Sequence, residues 1–194
     1  MSLPSSPPRV EQPPPANSVT ALAPIAPEQS APQQYLTFEL NARRYALDGL
    51  CVREIIEYPQ LTRVPMAATC IHGVINLRGA VVPVIDLSLR FGQGASRIDK
   101  RTCIIIVEVT DDEDAHVLGI IVDAVSEVLE VSTGQVRPAP AFGNPVRADF
   151  IHGMVRQGDE FIVLLTIDNT LAVAEIAASG SSTPARQAPE RPTR

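Results

Sequence analysis

The chain has 194 residues, a formal net charge of −6, 4% aromatic residues and no tryptophan. Its acidic balance argues against a nucleic-acid partner, because nonspecific binding to a phosphate backbone depends on clustered Lys and Arg side chains. With so few aromatic residues the core has to consist of Val, Ile, Leu and Ala, and a composition rich in β-branched residues favours strands. We therefore expect an all-β fold.

Residues 1–32 form a distinct arm that holds nine of the 18 prolines, mixed with Ser, Gln and Ala. The arm has no periodic apolar face from which a core could be built, so we expect it to be disordered. A proline-rich arm can bind a peptide-recognition groove, but no clean PxxP core stands out from the other prolines and a plain spacer is the simpler interpretation. Residues 179–194 share this composition and are predicted to be a disordered tail.

The expected compartment is the cytoplasm. The N-terminus lacks the charged and apolar regions of a signal peptide, and no run approaches 18 apolar residues. Cys51, Cys70 and Cys103 lie in apolar stretches at wide spacing, and we interpret them as small core residues in a reducing compartment. No HxxxH or CxxC spacing and no glycine-rich phosphate loop occurs, so neither a metal nor a cofactor is expected.

The first predicted element is a hairpin. Residues 35–40 and 45–47 have strand character and flank a polar turn at residues 41–44. Residues 49–57 are compatible either with a short helical turn or with a continued strand, and both readings stay open.

Residues 73–87 predict a second hairpin with its turn near Arg78 and Gly79. Glycine suits this turn because it accepts a positive φ without Cβ strain, and the turn should hold Arg78 in solvent. Pro83 removes a backbone donor from the returning strand, which predicts that this strand lies at an edge or carries a bulge.

The chain repeats itself. The pattern of residues 71–87 recurs in weaker form at residues 151–168, and residues 45–57 align with residues 118–130. The elements keep their order while the loops absorb insertions, which indicates an internal duplication.

The duplication predicts two lobes, roughly residues 33–100 and 101–178, with strand exchange possible between them. Residues 102–109 are almost wholly apolar, which predicts a strand covered on both faces.

The sequence contains little evidence of a catalytic site. The available histidines and paired aspartates are His72, His116, His152, Asp86 and Asp168, and none stands in a recognised catalytic motif. His72 and His152 occupy equivalent places in the two copies, and we align Asp86 with Asp168 in the same way. A structural role, such as capping a turn or closing a strand end, is therefore favoured, and no enzyme is expected.

Arg78 has two interpretations of equal weight. A bulky cation at a glycine-bordered turn between apolar strands is well placed to anchor a partner. An ordinary solvated turn arginine explains the same residue. Periodicity alone makes Val52 a core residue and Glu54 a surface residue.

Five segments together resemble the CheW family of chemotaxis coupling proteins, from about residue 33 to residue 178. These segments are Gly73-Val74-Ile75-Asn76-Leu77-Arg78-Gly79, Val82-Pro83-Val84-Ile85-Asp86-Leu87, Val52-Arg53-Glu54-Ile55, Gly119-Ile120-Ile121-Val122-Asp123 and Arg137-Pro138-Ala139-Pro140.

The resemblance implies two intertwined SH3-like five-stranded β-barrels and a noncatalytic adaptor. Such adaptors bridge the cytoplasmic tip of methyl-accepting chemoreceptors to the regulatory domain of the histidine kinase CheA. The membrane is then reached only indirectly, through the receptors. The residues that would contact the kinase are not assigned.

The same resemblance implies a set of receptor-contacting residues between the barrels, carried over by motif. This set is Val52, Glu54, Gly73, Asn76, Arg78, Gly79 and Cys103, where Cys103 stands in place of the more common valine. Two other functions remain open from the sequence. One is a sensor that binds a small molecule in the groove between the barrels, and the other is an adaptor of a chemosensory-like pathway unrelated to motility.

Overall fold

The computed structural model describes residues 31–111, 114–140, 146–172 and 174–176. The predicted arms at residues 1–32 and 179–194 lie outside this part, apart from Ala31 and Pro32. The strands of the described part are β1 Gln33–Leu40, β2 Arg43–Asp48, β3 Val52–Glu57, β4 Ile71–Leu77, β5 Ala80–Asp86, β6 Cys103–Asp111, β7 Asp114–Val122, β8 Ala124–Val131, β9 Ile151–Gln157 and β10 Glu160–Leu165. Two four-residue helices follow β5 and β10, namely α1 Leu87–Arg90 and α2 Ile167–Thr170.

The strands form two five-stranded sheets, in the orders β8-β1-β2-β10-β9 and β3-β6-β7-β5-β4. Each sheet takes strands from both copies of the repeat. The copies meet in the parallel pairs β2 with β10 and β5 with β7, and in the antiparallel pairs β1 with β8 and β3 with β6. The division into sheets therefore does not follow a boundary near residue 100. The all-β prediction is confirmed, and the interleaved sheets agree with the expected intertwined architecture.

Tight turns connect the hairpins. Asn41 and Ala42, between β1 and β2, have φ values of 51° and 57°, and Arg78 and Gly79, between β4 and β5, have φ values of 53° and 92°. Two consecutive positive φ values are typical of the type I′ turn, whose twist matches that of the flanking strands. The prediction of a hairpin turn at Arg78 and Gly79 is confirmed.

The segment of residues 49–57 contains both alternatives that the sequence left open. Gly49–Cys51 form a short 3-10 helix, capped by the side chain of Asp48, and β3 begins directly afterwards at Val52. In the second copy, residues 124–131 form strand β8.

The core consists of a central apolar cluster between the sheets and a smaller cluster behind each sheet. β6 contributes to two of these clusters. Ile105 and Val107 belong to the central cluster, whereas Ile104 and Ile106 belong to the smaller cluster on the opposite face of the sheet that contains β6. All four side chains are fully buried. The prediction that this strand is covered on both faces is confirmed.

Pro83 was predicted to place its strand at an edge or in a bulge, and the edge alternative is wrong. The β4–β5 ladder does contain a register shift, but it lies between Ile71 and Gly73 of β4. β5 lies inside its sheet, between β4 and β7. The proline is tolerated because β7 pairs with β5 only from Val84 onward, so that Pro83 lies in the part of β5 that pairs with β4 alone.

The alignment of Asp86 with Asp168 is also wrong. The amide of Asp86 donates to the carbonyl of Cys70, and the amide of Thr166 donates to the carbonyl of Phe150, each at 2.8 Å. Thr166 is therefore the structural counterpart of Asp86. Both residues stand at the N-cap of the short helix that follows their strand, but of the two only Asp86 caps it with its side chain.

Candidate functional site

A groove of about 770 Å³ runs between the two sheets. We call it the main groove; it is bounded by β3 on one side and by β1 and β8 on the other. Its lining residues are Ala31, Pro32, Gln33, Gln34, Leu36, Gly49, Leu50, Val52, Arg53, Glu54, Ile55 and Val128.

Three large apolar side chains in the main groove face solvent. The exposed fractions are 90% for Leu50, 56% for Val128 and 43% for Ile55. Exposed apolar side chains that cluster in a groove, with polar residues around them, are typical of a protein-binding surface.

Sequence reasoning singled out none of these three residues. A signal was nevertheless present, because Ile55 and Val128 occupy equivalent positions when residues 45–57 are aligned with residues 118–130. Each lies on the outer strand of its own sheet, β3 or β8. The approximate two-fold relation between the copies thus places one exposed apolar residue on each side of the groove.

Arg78 and Glu54 form an ion pair. The guanidinium Nη2 lies 2.8 Å from Glu54 Oε2, and the two side chains are 80% and 28% exposed. The pair connects the β4–β5 turn to β3, and β3 and β4 are the two outer strands of this sheet. An exposed pair of this kind contributes about 0–1 kcal/mol to stability, so it leaves the guanidinium available to a partner.

The other sheet contains a matching contact. Gln157, at the end of β9, donates to Glu127 of β8 at 3.0 Å, and Arg44 donates to the same carboxylate at 3.1 Å. These two hydrogen bonds lower the pKa of Glu127, with the bond from Gln157 as the larger cause. Side chains thus link the outer strands in both sheets, which gives the Arg78–Glu54 pair a structural role beside any binding role.

Asn76 and Gly79 build the turn that presents Arg78. The side-chain Oδ1 of Asn76 accepts a hydrogen bond from the Gly79 amide at 2.8 Å. Gly79 has a φ of 92°, which favours glycine. Both residues therefore act by fixing the turn, and both are exposed enough to contact a partner as well.

A second groove of about 520 Å³, the side groove, lies on the other side of this ion pair. Arg78 lines the side groove together with residues of β5 and β7, whereas Val52 lines the main groove. Glu54 lines both grooves. The ion pair therefore stands between the two grooves.

Gly73 is buried and allows a close backbone approach. A Cβ at this position would lie 2.7 Å from the carbonyl oxygen of Thr62. The space is needed because Thr62 and Val74 exchange two backbone hydrogen bonds, of 3.0 and 2.8 Å. Gly153 has the same role in the second copy, against Arg137. The structure thus gives Gly73 an internal packing role.

Cys103 is not brought together with the other predicted residues. It pairs with Glu57 at one end of β3, whereas Val52 pairs with Val107 at the other end. The five intervening steps of about 3.3 Å each separate the two ends by about 17 Å. The predicted set therefore divides into Val52, Glu54 and the Arg78 turn on the one hand and Cys103 on the other.

Asp86 and His72, two of the residues that raised the question of catalysis, form structural contacts. The buried Asp86 carboxylate accepts hydrogen bonds from the amide of Leu89 and from the amide and hydroxyl of Ser96. His72 lies beside it and shares a 3.0 Å hydrogen bond with the Tyr58 hydroxyl. These bonds close the end of a strand, as the sequence predicted for Asp86.

The thiols of Cys51 and Cys70 are poor nucleophiles. Burial raises the pKa of Cys51 to about 12, and the nearby Asp48 carboxylate adds to this shift. Burial also raises the pKa of Cys70. A thiol with such a pKa stays protonated near neutral pH and is inert. Cys70 is a core residue as predicted, whereas Cys51 and Cys103 are only half-buried.

No cluster of three or more His, Cys, Asp or Glu side chains among the described residues could hold a metal ion. No helix in the same part of the chain is long and apolar enough to span a membrane.

Comparison with known proteins gives consistent matches. The model of the CheW-like domain family matches residues 34–175. The chain is 37% identical to the chemotaxis protein CheW of Klebsiella aerogenes over 145 residues, which cover 75% of this chain and 85% of that protein. It is 34% identical to the chemotaxis protein CheW of Bacillus subtilis over 152 residues, which cover 78% and 93%.

A solved structure agrees with these matches. The crystal structure of the scaffolding protein TtCheW from Thermoanaerobacter tengcongensis resembles this fold with a TM-score of 0.64 and 32% sequence identity. The match covers 73% of this chain and 89% of that one. The sequence motifs, the interleaved sheets and these relatives lead to one conclusion, that the chain belongs to the CheW-like domain family.

Proposed function

We propose that this protein is a noncatalytic adaptor that couples methyl-accepting chemoreceptors to a CheA-type histidine kinase and regulates autophosphorylation of the kinase. The observation that carries the proposal is the main groove, which exposes Leu50, Ile55 and Val128 in a member of the CheW-like family. Relatives named as a chemotaxis protein and as a scaffolding protein support the adaptor role.

The main groove suits a helical partner. Its exposed apolar side chains lie on both of its walls, at Ile55 of β3 and Val128 of β8. An α-helix, which with its side chains is about 10–12 Å in diameter, could therefore contact both walls at once. An amphipathic helix from the receptor tip would place its apolar face on Leu50, Ile55 and Val128. Fully burying one side chain of this size stabilises a complex by about 1.5–3 kcal/mol, so three partly exposed ones supply a few kcal/mol before the cost of association.

Arg78 adds polar specificity at the side of this contact. Its guanidinium is exposed and already oriented by Glu54, which reduces the side-chain entropy that binding would cost. Arginine is also enriched among the residues that dominate protein interfaces. In this proposal the apolar groove provides most of the affinity and Arg78 fixes the orientation of the receptor.

The kinase partner would be the regulatory domain of the CheA-type kinase, and the residues that contact it are not assigned. The adaptor would act in the cytoplasm and would reach membrane-associated arrays only through the receptors.

Substitutions in the main groove test the receptor contact. Ile55→Asp and Val128→Asp each put a charge into an exposed apolar position, and we expect each to weaken binding to a purified cytoplasmic fragment of a chemoreceptor at least tenfold. Phe161→Asp is the matched control, because Phe161 is 57% exposed, close to the 56% of Val128, but does not line the main groove. Unchanged binding by both groove variants would contradict the proposal.

A further inference from the structure

The N-terminal arm joins the described structure at the main groove. Ala31 and Pro32, the first described residues, are exposed and line this groove near Leu50 and Val128. Whatever precedes residue 31 therefore starts at the rim of the surface that the proposed function assigns to the receptor.

The arm contains a stretch with the composition of a groove ligand. Residues 12–27 include no charged residue, and residues 16–23 include no proline. Val19, Leu22 and Ile25 supply large apolar side chains within this stretch. Burying such a segment removes little hydration from polar side chains and none from charged ones.

The arm is long enough to reach the whole groove. The nine steps from Leu22 to Ala31 span at most about 30 Å in an extended chain. The four residues of β3 that line the groove, Val52 to Ile55, cover about 13 Å along that strand. If the chain reverses direction once before residue 31, residues 16–26 can therefore lie along the groove, and the residues that connect them to Ala31 need not be fully extended.

The strands that form the walls of the groove can also form backbone hydrogen bonds with an added strand. β3 pairs with β6 and β8 pairs with β1, and among the pairings of the described residues neither strand has a partner on its other side. An outer strand of this kind offers free N–H and C=O groups to an added strand. The proline-free residues 16–23 have the backbone donors that such an addition requires.

We propose that residues 16–26 of the arm fold back into the main groove and compete there with the receptor. The competition rests on the proposed function, whereas the docking does not. A segment tethered this closely has an effective concentration of about 1 mM. Even a segment whose intrinsic dissociation constant is near 1 mM would then fill the groove about half of the time and weaken receptor binding about twofold.

The absence of tryptophan makes docking directly measurable in the full-length protein. Leu22→Trp introduces a single indole in the docking segment, and Leu3→Trp introduces one outside it as the control. We expect the indole at position 22 to emit at a shorter wavelength than the indole at position 3. Adding Val128→Asp, or Ile55→Asp as a second groove variant, should remove this difference.

Two results would overturn docking. One is identical emission from the two indoles, and the other is a shorter wavelength at position 22 that neither groove variant changes. In either case the proposed function stands or falls by its own binding experiment.

Competition is tested by adding a purified cytoplasmic fragment of a chemoreceptor to the Leu22→Trp protein. We expect the emission to move to longer wavelength as the fragment binds. The triple variant Val19→Ser/Leu22→Ser/Ile25→Ser should bind the fragment about twofold or more tightly than the control Leu3→Ser. A fragment that binds without moving the emission would overturn competition; a fragment that does not bind at all would contradict the proposed function while docking stands.

Discussion

Among single residues, Arg78 combines an unusual backbone with an exposed side chain. Its φ of 53° is positive, a conformation that non-glycine residues adopt at a cost of about 1–2 kcal/mol. The Asn76 side chain and Gly79 fix the turn that imposes it. In the proposed function this turn presents the exposed guanidinium to the receptor.

The substitution Arg78→Asn separates stability from coupling. Asparagine tolerates a positive φ better than arginine, and this gain should offset the lost ion pair with Glu54. We expect the free energy of unfolding in urea to stay within about 1 kcal/mol of wild type, while binding to a chemoreceptor fragment weakens. Arg156→Asn is the control, since Arg156 is 63% exposed but belongs to the β9–β10 hairpin. Loss of folding in the Arg78 variant would show that Arg78 is structural.

Gly73 gives a second prediction at this scale. A methyl group at position 73 would meet the Thr62 carbonyl oxygen at 2.7 Å, and backbone has to move to accommodate it. We expect Gly73→Ala to lower the free energy of unfolding by about 1–3 kcal/mol. Gly134→Ala is the control, because nothing lies within 4 Å of a Cβ there. Equal stability of the two variants would rule out the packing role.

Among the elements, the last described segment is held by a cluster of charges. Glu175 forms ion pairs with Arg90, the last residue of α1, and with Arg147. Both guanidinium groups also lie over the Phe150 ring, at 4.8 and 4.6 Å from its centroid. Glu175 thus joins residues from both copies of the repeat to the end of the described chain.

This cluster predicts a pH dependence. Hydrogen bonds from Arg90, and then from Arg147, hold the pKa of Glu175 below its usual value. A carboxylate with a lowered pKa in the folded state stabilises that state above its unfolded pKa, and the contribution disappears as the pH falls through the folded pKa. Glu175→Gln should therefore lower the melting temperature at pH 7, and the difference should vanish at a pH below that lowered pKa. A difference that persists undiminished in acid would contradict this account.

Local sequence patterns predicted the individual strands and turns well. They predicted less well which elements lie next to each other in the fold. The unbroken apolar run of β6 correctly indicated burial on both faces, because that property depends on one strand alone. The expected edge position of Pro83 failed, since it depends on where β7 begins to pair. The same limit applies to the site. Motif resemblance found the paired residues Glu54 and Arg78, but no local pattern shows that Cys103 lies at the far end of β3.

In the whole molecule, exchange of strands makes the two copies of the repeat interdependent. Each sheet contains strands from both copies, and the central cluster buries side chains of both sheets. The copies are therefore not separable lobes. Their approximate symmetry was visible in the sequence. The duplication alone left the exchange open, because a duplicated sequence is equally compatible with two separate lobes, and only the family resemblance implied intertwined barrels. The exchange matters for the proposed function, since it brings β3 and β8 to opposite sides of one groove.

The most direct test of the central claim measures autophosphorylation of the cognate CheA-type kinase in receptor-containing membranes, with this protein, without it, and with its Val128→Asp variant. The adaptor account predicts kinase activity under attractant control with the wild-type chain, and loss of that control when the chain is absent or carries Val128→Asp. Attractant-controlled activity of equal size in all three samples would contradict it.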